Sequence, residues 1–331
     1  QGFKHQWLRS VAGFETPHRM GSIRSLVVPT ATSSDAVNAT YEVTFTPGVD
    51  GDFSHPEAQF SCFSAPHAVA TAEFSFVQTS GGTASAPFAE STTLAKVSFP
   101  AGATPPTVFL NGFDMRMACT GSSCNSNGMW AYKWGLRVDH CDQAPDGTLC
   151  VVALTIGRGW TPSHGGGKPY NPDMQFNVSV PLLAVYGAAT SASSLTGRST
   201  IFAGPTRGIV NASAGAGDVT LAGFTGFSFE LLETDNHPNR GRYLEAIEFM
   251  LEPGGSPSSY LWVADFESPK VTTYASDVVY NVKTTSVSVP AASSMASVSG
   301  TVCEDDEPLF HCKAKGLPAS LSDTVPFTCH F

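Results

Sequence analysis

The chain reads as all-β: tandem antiparallel β-sandwich modules followed by a disulfide-bearing C-terminal segment of strand-like sequence. Three observations predict this. A Gly-Phe mark recurs as VAGF at 11–14, LNGF at 110–113 and LAGF at 221–224, and self-similarity at a fixed period is the signature of repeated structural units. Around each mark, short apolar, β-branched or aromatic runs alternate with turn residues, as in antiparallel sandwiches. Only 14% of the residues are charged, against 31 Gly, 23 Pro and 22 Phe, a balance that favours strands and tight turns over long amphipathic helices.

The expected strands follow in order. After the first mark come GSIRSLVV (21–28), TYEVTFTPG (40–48) and AEFSFVQTS (72–80). The second mark is preceded by LAKVSFPAGATPPTVFL (94–110) and followed by WGLRVDH (134–140), LCVVALTIG (149–157) and VSVPLLAVYG (178–187). The third is preceded by STIFAGPTRGIVNASAGAGDVTL (199–221) and followed by RYLEAIEFML (242–251), a Pro/Gly turn and YLWVADFES (260–268). Within 233–255, Leu244, Ile247, Glu248 and Leu251 could share a helix face; the matching stretch of the middle unit, GLRVDH, is strand-like, so strand is expected here too, with a short helix as the alternative. The units are therefore a first module over 1–88, a second over 89–192, a third over 193–290 and a Cys-containing tail over 291–331.

The two ends do not match. Only QGFKHQWLRSV precedes the first mark, so the first module is expected to lack a first strand, whereas KVTTYASDVVYNVKTTSVSVP (270–290) and ASVSGTV (296–302) are surplus. The tail could pack on the third module, complete the first module in cis, or enter the first module of a neighbour. A head-to-tail contact that does not close on itself makes a filament, and an open sheet edge calls for a cover. Self-association, head-to-tail or trimeric, is the expected partnership.

A formal net charge of −10, a pI near 5.3 and the lack of any basic stripe exclude nucleic acid as a partner. No apolar run is long enough to span a bilayer as a helix. The chain opens at Gln1 with no signal peptide, as a processed secreted protein would. Asn38, Asn177 and Asn211 each begin an Asn-x-Ser/Thr sequon, and eight cysteines contain no Cys-x-x-Cys pair, which fits glycosylation and disulfides in an oxidising compartment. Cys119 and Cys124 bracket one loop. Cys141 and Cys150 flank QAPDGTL, a turn across which a short cross-hairpin bridge is geometrically reasonable. Cys62 then stands alone against Cys303, Cys312 and Cys329, so even pairing sends Cys62 to a tail cysteine; the alternative is a free, buried Cys62.

The middle unit carries a family resemblance. TPPTVFLNGFDM, GLRVDH, CVVALTIGRGW and VSVPLLAVYG, over roughly 94–187, resemble the strands of the H-type lectin domain. That resemblance implies a six-stranded antiparallel sandwich that often trimerises and binds galactose-type sugars, with Arg137 at the family's strand arginine, Trp160 at its tryptophan and His164 as a nearby polar contact. The chain departs from the pattern in the CTGSSC loop, in the GGGKPYNPD insertion (165–173), and at Leu182 and Leu183, where the family has a tryptophan. A sugar site needs an aromatic face and fixed polar groups; Asp114, Arg137, Trp160, His164 and Tyr170 form the candidate set, against the plainer reading of core-edge and solvated loop residues.

Catalytic signatures are thin. HGGG at 164–167 has no Gly-x-Ser-x-Gly elbow to accompany it, no zinc or phosphate-loop motif is present, and the nine histidines lack ligand spacing. GAGDVTLAG (215–223) enters a strand, not a helix. Asp50, Asp52 and Glu57 could face a cation, but the loop lacks the EF-hand spacing, and CEDDEP (303–308) reads as a solvated charge run. No enzyme activity, metal or cofactor is expected. The sequence points to a secreted non-catalytic glycoprotein with a structural or adhesive role in an extracellular filament or coat, joined in one version by strand exchange; a soluble carbohydrate-binding protein is the alternative.

Overall fold

The computed structural model describes residues 2–8, 20–32, 36–47, 53–63, 65–78, 88–120, 131–159, 173–200, 206–211, 218–232, 246–253, 259–267, 277–290, 295–301 and 321–330. Side-chain environments are described over 65–78, 90–116, 133–157, 173–188, 220–230 and 279–289, and at 192, 194, 196 and 197. Nearly all of the described residues are strand and none is helix, as the composition predicts.

In chain order the strands are β1 (Gly2–Leu8), β2 (Met20–Thr32), β3 (Ala36–Pro47), β4 (Phe53–Phe63), β5 (His67–Gln78), β6 (Phe88–Pro100), β7 (Pro106–Leu110), β8 (Gly112–Thr120), β9 (Ala131–Ala144) and β10 (Gly147–Gly159). They continue as β11 (Asp173–Tyr186), β12 (Ala188–Thr200), β13 (Thr206–Asn211), β14 (Asp218–Leu232), β15 (Ala246–Pro253), β16 (Ser259–Glu267), β17 (Asp277–Pro290), β18 (Met295–Thr301) and β19 (Leu321–His330). Sheet one runs β13-β16-β15-β1-β4-β18, sheet two β12-β17-β14-β9-β10-β6, and sheet three β19-β3-β2-β8-β11-β5, with β7 also paired to β11.

Strand pairing crosses the boundaries expected at 88, 192 and 290. Sheet two joins β6, β9 and β10 to β14 and β17, and sheet one joins β1 and β4 to β13, β15 and β16. Period-two alternation marks a strand and its buried face but does not name its neighbour. The front of the chain differs from expectation as well: GFKHQWL, where a first strand is expected to be lacking, is β1, set between β15 and β4 with Phe3 opposite both Phe249 and Ala58. Lys4, His5 and Gln6 break its alternation, so two flanking ladders rather than local pattern make it a strand. The tail returns to the first segment of its own chain. β18 pairs with β4, Ala296 opposite Cys62, and β19 pairs with β3, Cys329 opposite Val37. Residues 246–253, in the segment with helical possibilities, are the strand β15.

Sheets two and three face each other across one core. β11 shows why: Met174, Phe176, Val178, Val180, Leu182 and Ala184 recur at period two and are all buried, while Gln175, Asn177 and Ser179 between them point outward. Facing them from sheet two are Leu136, Val152, Leu154, Ile156, Phe227 and Val282 in the same cluster. Aromatic edges lock the two layers. The Phe113 ring of sheet three meets Trp134 of sheet two edge-on at 5.1 Å, and Trp134 meets Phe227 in the same manner at 5.1 Å. Phe113 and Phe224, the phenylalanines of the second and third marks, thus share one core; the first mark lies outside the described residues.

The glycines of the two described marks do different work. β7 and β8 both pair with β11, one after the other, and Pro181 stands opposite the junction. Asn111 N–H donates to the Pro181 carbonyl at 2.9 Å, and Gly112 takes a φ of 117°, a left-handed setting that costs glycine little. A proline inside a sheet is tolerated where the ladder is interrupted, and this kink is such a place. Gly223 serves packing: a Cβ there would lie 2.4 Å from Phe109 Cδ1. Phe109 belongs to a second small cluster with Val185, Leu221, Val287 and Val289, whereas its neighbours Val108 and Leu110 face the main core.

Gly223→Ala is expected to destabilise the chain by about 1–3 kcal/mol through overpacking against the Phe109 ring, measured by chemical denaturation. In a Phe109→Ala background the same substitution should add almost nothing, because the two sites are coupled by contact. An equal cost in both backgrounds would refute the ring contact as the reason for the glycine.

Candidate functional site

Outward positions of sheets two and three form two polar faces on opposite sides of the sandwich. On sheet two, Glu90, Gly157, Lys133 and Glu230 stand in one row across β6, β10, β9 and β14. Gly157 offers no side chain, so Lys133 reaches over its strand: Nζ lies 2.9 Å from Glu90 Oε2 and 3.3 Å from Glu230 Oε2. Partial burial works against the ammonium charge, but the hydrogen bond to Glu90 and the Glu230 charge outweigh it and hold Lys133 above the ordinary lysine range. In the next row Thr92 and Thr155 share a 2.9 Å hydroxyl contact.

Further along β9 the ladder shifts: Val138 pairs with Val152 and His140 with Val151, leaving Asp139 as an extra residue. Such a bulge re-aims side chains. Asp139 accepts from Arg137 Nε at 2.9 Å and contacts His140 Nδ1 at 3.1 Å, and the hydrogen bonds from His140 and then Arg137 lower its pKa below the usual aspartate value of 3.8. Beyond this bulge the Cys141–Cys150 disulfide closes the β9–β10 hairpin across directly opposed residues. Cys150 is fully buried and Cys141 is exposed.

On sheet three the outward face carries a different set. Ser75 Oγ donates to Asn177 Oδ1 at 2.9 Å, Gln175 Nε2 donates to the same oxygen at 3.3 Å, and Ser179 donates to Glu73 at 2.8 Å. Arg116 forks onto both carboxylate oxygens of Asp114, at 3.5 and 3.1 Å. Asn177, head of the second sequon, is exposed in the middle of β11.

These placements divide the residues singled out in the sequence. Asp114 alternates with the core residues Phe113 and Met115 of sheet three, and Arg137 follows the core residue Leu136 of sheet two. The two therefore project from opposite faces and are not brought together. Trp160, His164 and Tyr170 lie outside the described residues, as do the HGGG stretch, Asp50, Asp52 and the CEDDEP run. Asn38 is on β3 and Asn211 on β13; Cys62, Cys119 and Cys329 are on β4, β8 and β19, and Cys124, Cys303 and Cys312 are outside the described residues. Among the described residues no group of three or more His, Cys, Asp or Glu side chains could hold a metal ion, and no helix is long and apolar enough to cross a membrane.

The Glu90–Lys133–Glu230 row and the hydrogen bonds on Asn177 are absent from the candidates drawn from sequence. The available signal was a lone charge beside apolar residues, as in YKW and FSFELL, which calls for a partner of opposite sign without saying which. Comparison with protein-family models, with curated proteins and with solved structures returns no match.

Lys133→Ala is expected to cost about 1 kcal/mol, less in high salt, because Glu90 and Glu230 both lose the ammonium between them; denaturation at low and high ionic strength checks this. Asp139 has a lowered folded-state pKa, so its contribution is present above the ordinary value of 3.8 and lost as pH falls through the lowered one. Asp139→Asn should therefore reduce stability at neutral pH by less than about 1 kcal/mol and flatten the acid limb of the stability profile. An unchanged acid limb would show that the pair contributes nothing.

Proposed function

We propose that this chain is a secreted, non-catalytic glycoprotein with a structural or adhesive role in an extracellular assembly. The observation that carries the reading is the Cys141–Cys150 bridge across an antiparallel hairpin, since disulfides persist in oxidising compartments. The exposed sequon asparagine Asn177 supports it: a glycan there would stand off the outer face of sheet three without entering the core. Two broad sheet faces with few charges, most of them matched in short-range pairs, suit a rigid body that presents surface.

The assembly proposed does not call on strand exchange by the tail. β18 and β19 fill positions beside β4 and β3 of the same chain, so the closed chain needs no donor strand. Sugar recognition by the Asp114, Arg137, Trp160, His164 and Tyr170 set is not carried forward either, because Asp114 and Arg137 occupy opposite faces.

The test is localisation together with modification. Antibodies to the chain should label extracellular structures of the producing cells, and the protein recovered from them should be oxidised at Cys141 and Cys150 and carry an N-glycan that Asn177→Gln removes, read by mass spectrometry. Labelling confined to the cell interior, or recovery only as a freely diffusing species in the medium, would overturn the reading.

A further inference from the structure

Three large apolar side chains stand exposed among the described residues: Leu94 at 60%, Val69 at 59% and Val77 at 48%. All three lie on strands that end a sheet, Leu94 on β6 at the end of sheet two, Val69 and Val77 on β5 at the end of sheet three. An edge strand presents a row of backbone donors and acceptors with no ladder partner, and natural edges are usually blunted by charge, proline or brevity. β6 is long, and its proline is confined to the end, at Pro100.

Outward positions of β6 include Glu90, Thr92, Leu94, Lys96 and Ser98, all exposed. The order acid, threonine, leucine, base is self-complementary under an antiparallel twofold. When Thr93 faces Thr93 of a second copy, Glu90 faces Lys96, Thr92 faces Leu94, and the same pairs repeat on the other side of the axis. Residues 88 to 98 all find partners in this register. The β5 edge lacks this property: Glu73 is the one carboxylate among its outward residues and no lysine or arginine accompanies it.

We propose that β6 is a homodimerisation edge, pairing antiparallel with β6 of a second copy about Thr93 so that the two copies of sheet two become one continuous sheet. Cross-strand pairs of opposite charge and of leucine with a β-branched residue are favourable, and like charges directly opposite are not. Glu90 also holds Lys133, and a carboxylate has lone pairs enough for a second ammonium. Leu94, the most exposed large apolar residue described, is covered in this register by Thr92 of the second copy. The inference rests on the self-association reading above and supplies its surface; a closed isologous contact of this kind makes a dimer, leaving other surfaces for any larger assembly.

The experiment is sedimentation equilibrium on the full chain, from low to high micromolar concentration, for wild type, Lys96→Glu, Glu90→Lys, Thr93→Pro and an equimolar mixture of the two charge variants. The wild type should be a dimer. Each charge variant places like charges opposite each other twice across the axis and should dimerise about tenfold or more less tightly, Thr93→Pro should be monomeric, and the mixture should recover dimers of mixed composition. Circular dichroism and thermal unfolding check that the variants are folded, and the mixture is its own control, because two unfolded chains would not rescue each other. Wild-type self-association that persists in all variants, or a mixture that fails to recover, overturns the β6 pairing while leaving the extracellular assembly standing. A wild type that is monomeric throughout overturns the dimer; localisation to an extracellular structure would then still hold by itself.

Discussion

The arrangement of sheets two and three depends on how closely Phe109 approaches Gly223. β7 is a five-residue strand whose residues look two ways: Val108 and Leu110 enter the main core, while Phe109 turns to Val185, Leu221, Val287 and Val289. A ring so placed must find a flat, Cβ-free neighbour on β14, and Gly223 is that neighbour. Just beyond, β14 shifts register between Phe224 and Gly226, and this shift brings Phe224, Phe227 and Phe229 into the main core. The short strand therefore acts as a wedge between two apolar clusters. Remove the close approach and either the ring loses its seat or β14 must move away from the strand that aligns its phenylalanines.

Much of this was legible locally and little of it globally. The alternation of β11 is open to direct reading from MQFNVSVPLLA, as is the β9–β10 hairpin from QAPDGTL with a cysteine on each side. The Gly-Phe marks were visible too, but their meaning was not. The same three letters stand for a left-handed kink at Gly112, a packing requirement at Gly223, and a phenylalanine donated to a common core in both. Similar local demands produce similar local sequence, so a recurring mark can record recurring turns within a core as readily as recurring modules. Partner choice is the missing quantity: β1 is a strand because distant segments lie beside it, and nothing in GFKHQWL announces Phe249 or Ala58.

The candidate sugar set failed to assemble at Asp114 and Arg137 for a related reason. Both are polar residues on strands of the middle unit, and both alternate with core positions, yet a sandwich has two outer faces, and sequence parity alone does not tell which sheet a strand joins. Each of these residues is instead spent on a neighbour two positions along its own strand or across a bulge, Asp114 on Arg116 and Arg137 on Asp139. Low charge density makes such pairing informative. With 14% charged residues, the outer faces of sheets two and three owe their polarity mainly to Ser, Thr, Asn and Gln, and their few ion pairs sit at particular places: a row opened by Gly157, a bulge at Asp139, a fork at Arg116.

That economy bears on how the molecule can meet another copy of itself. A net charge of −10 gives two copies a mutual repulsion at long range, screened within about 8 Å at physiological ionic strength. Generic apolar attraction is poorly placed to overcome it, since the exposed apolar side chains described are few and scattered along two edges. What remains is an attraction that acts only at contact and only in one register, with each carboxylate of an edge meeting the other copy's ammonium. β6 carries such a pattern because its acid and its base are equidistant from Thr93, and β9 fixes one end of the pattern, with Lys133 reaching across Gly157 of β10 to hold Glu90. The glycine that lets a charged row close inside one chain thus also sets the position of the acid that a second chain would meet.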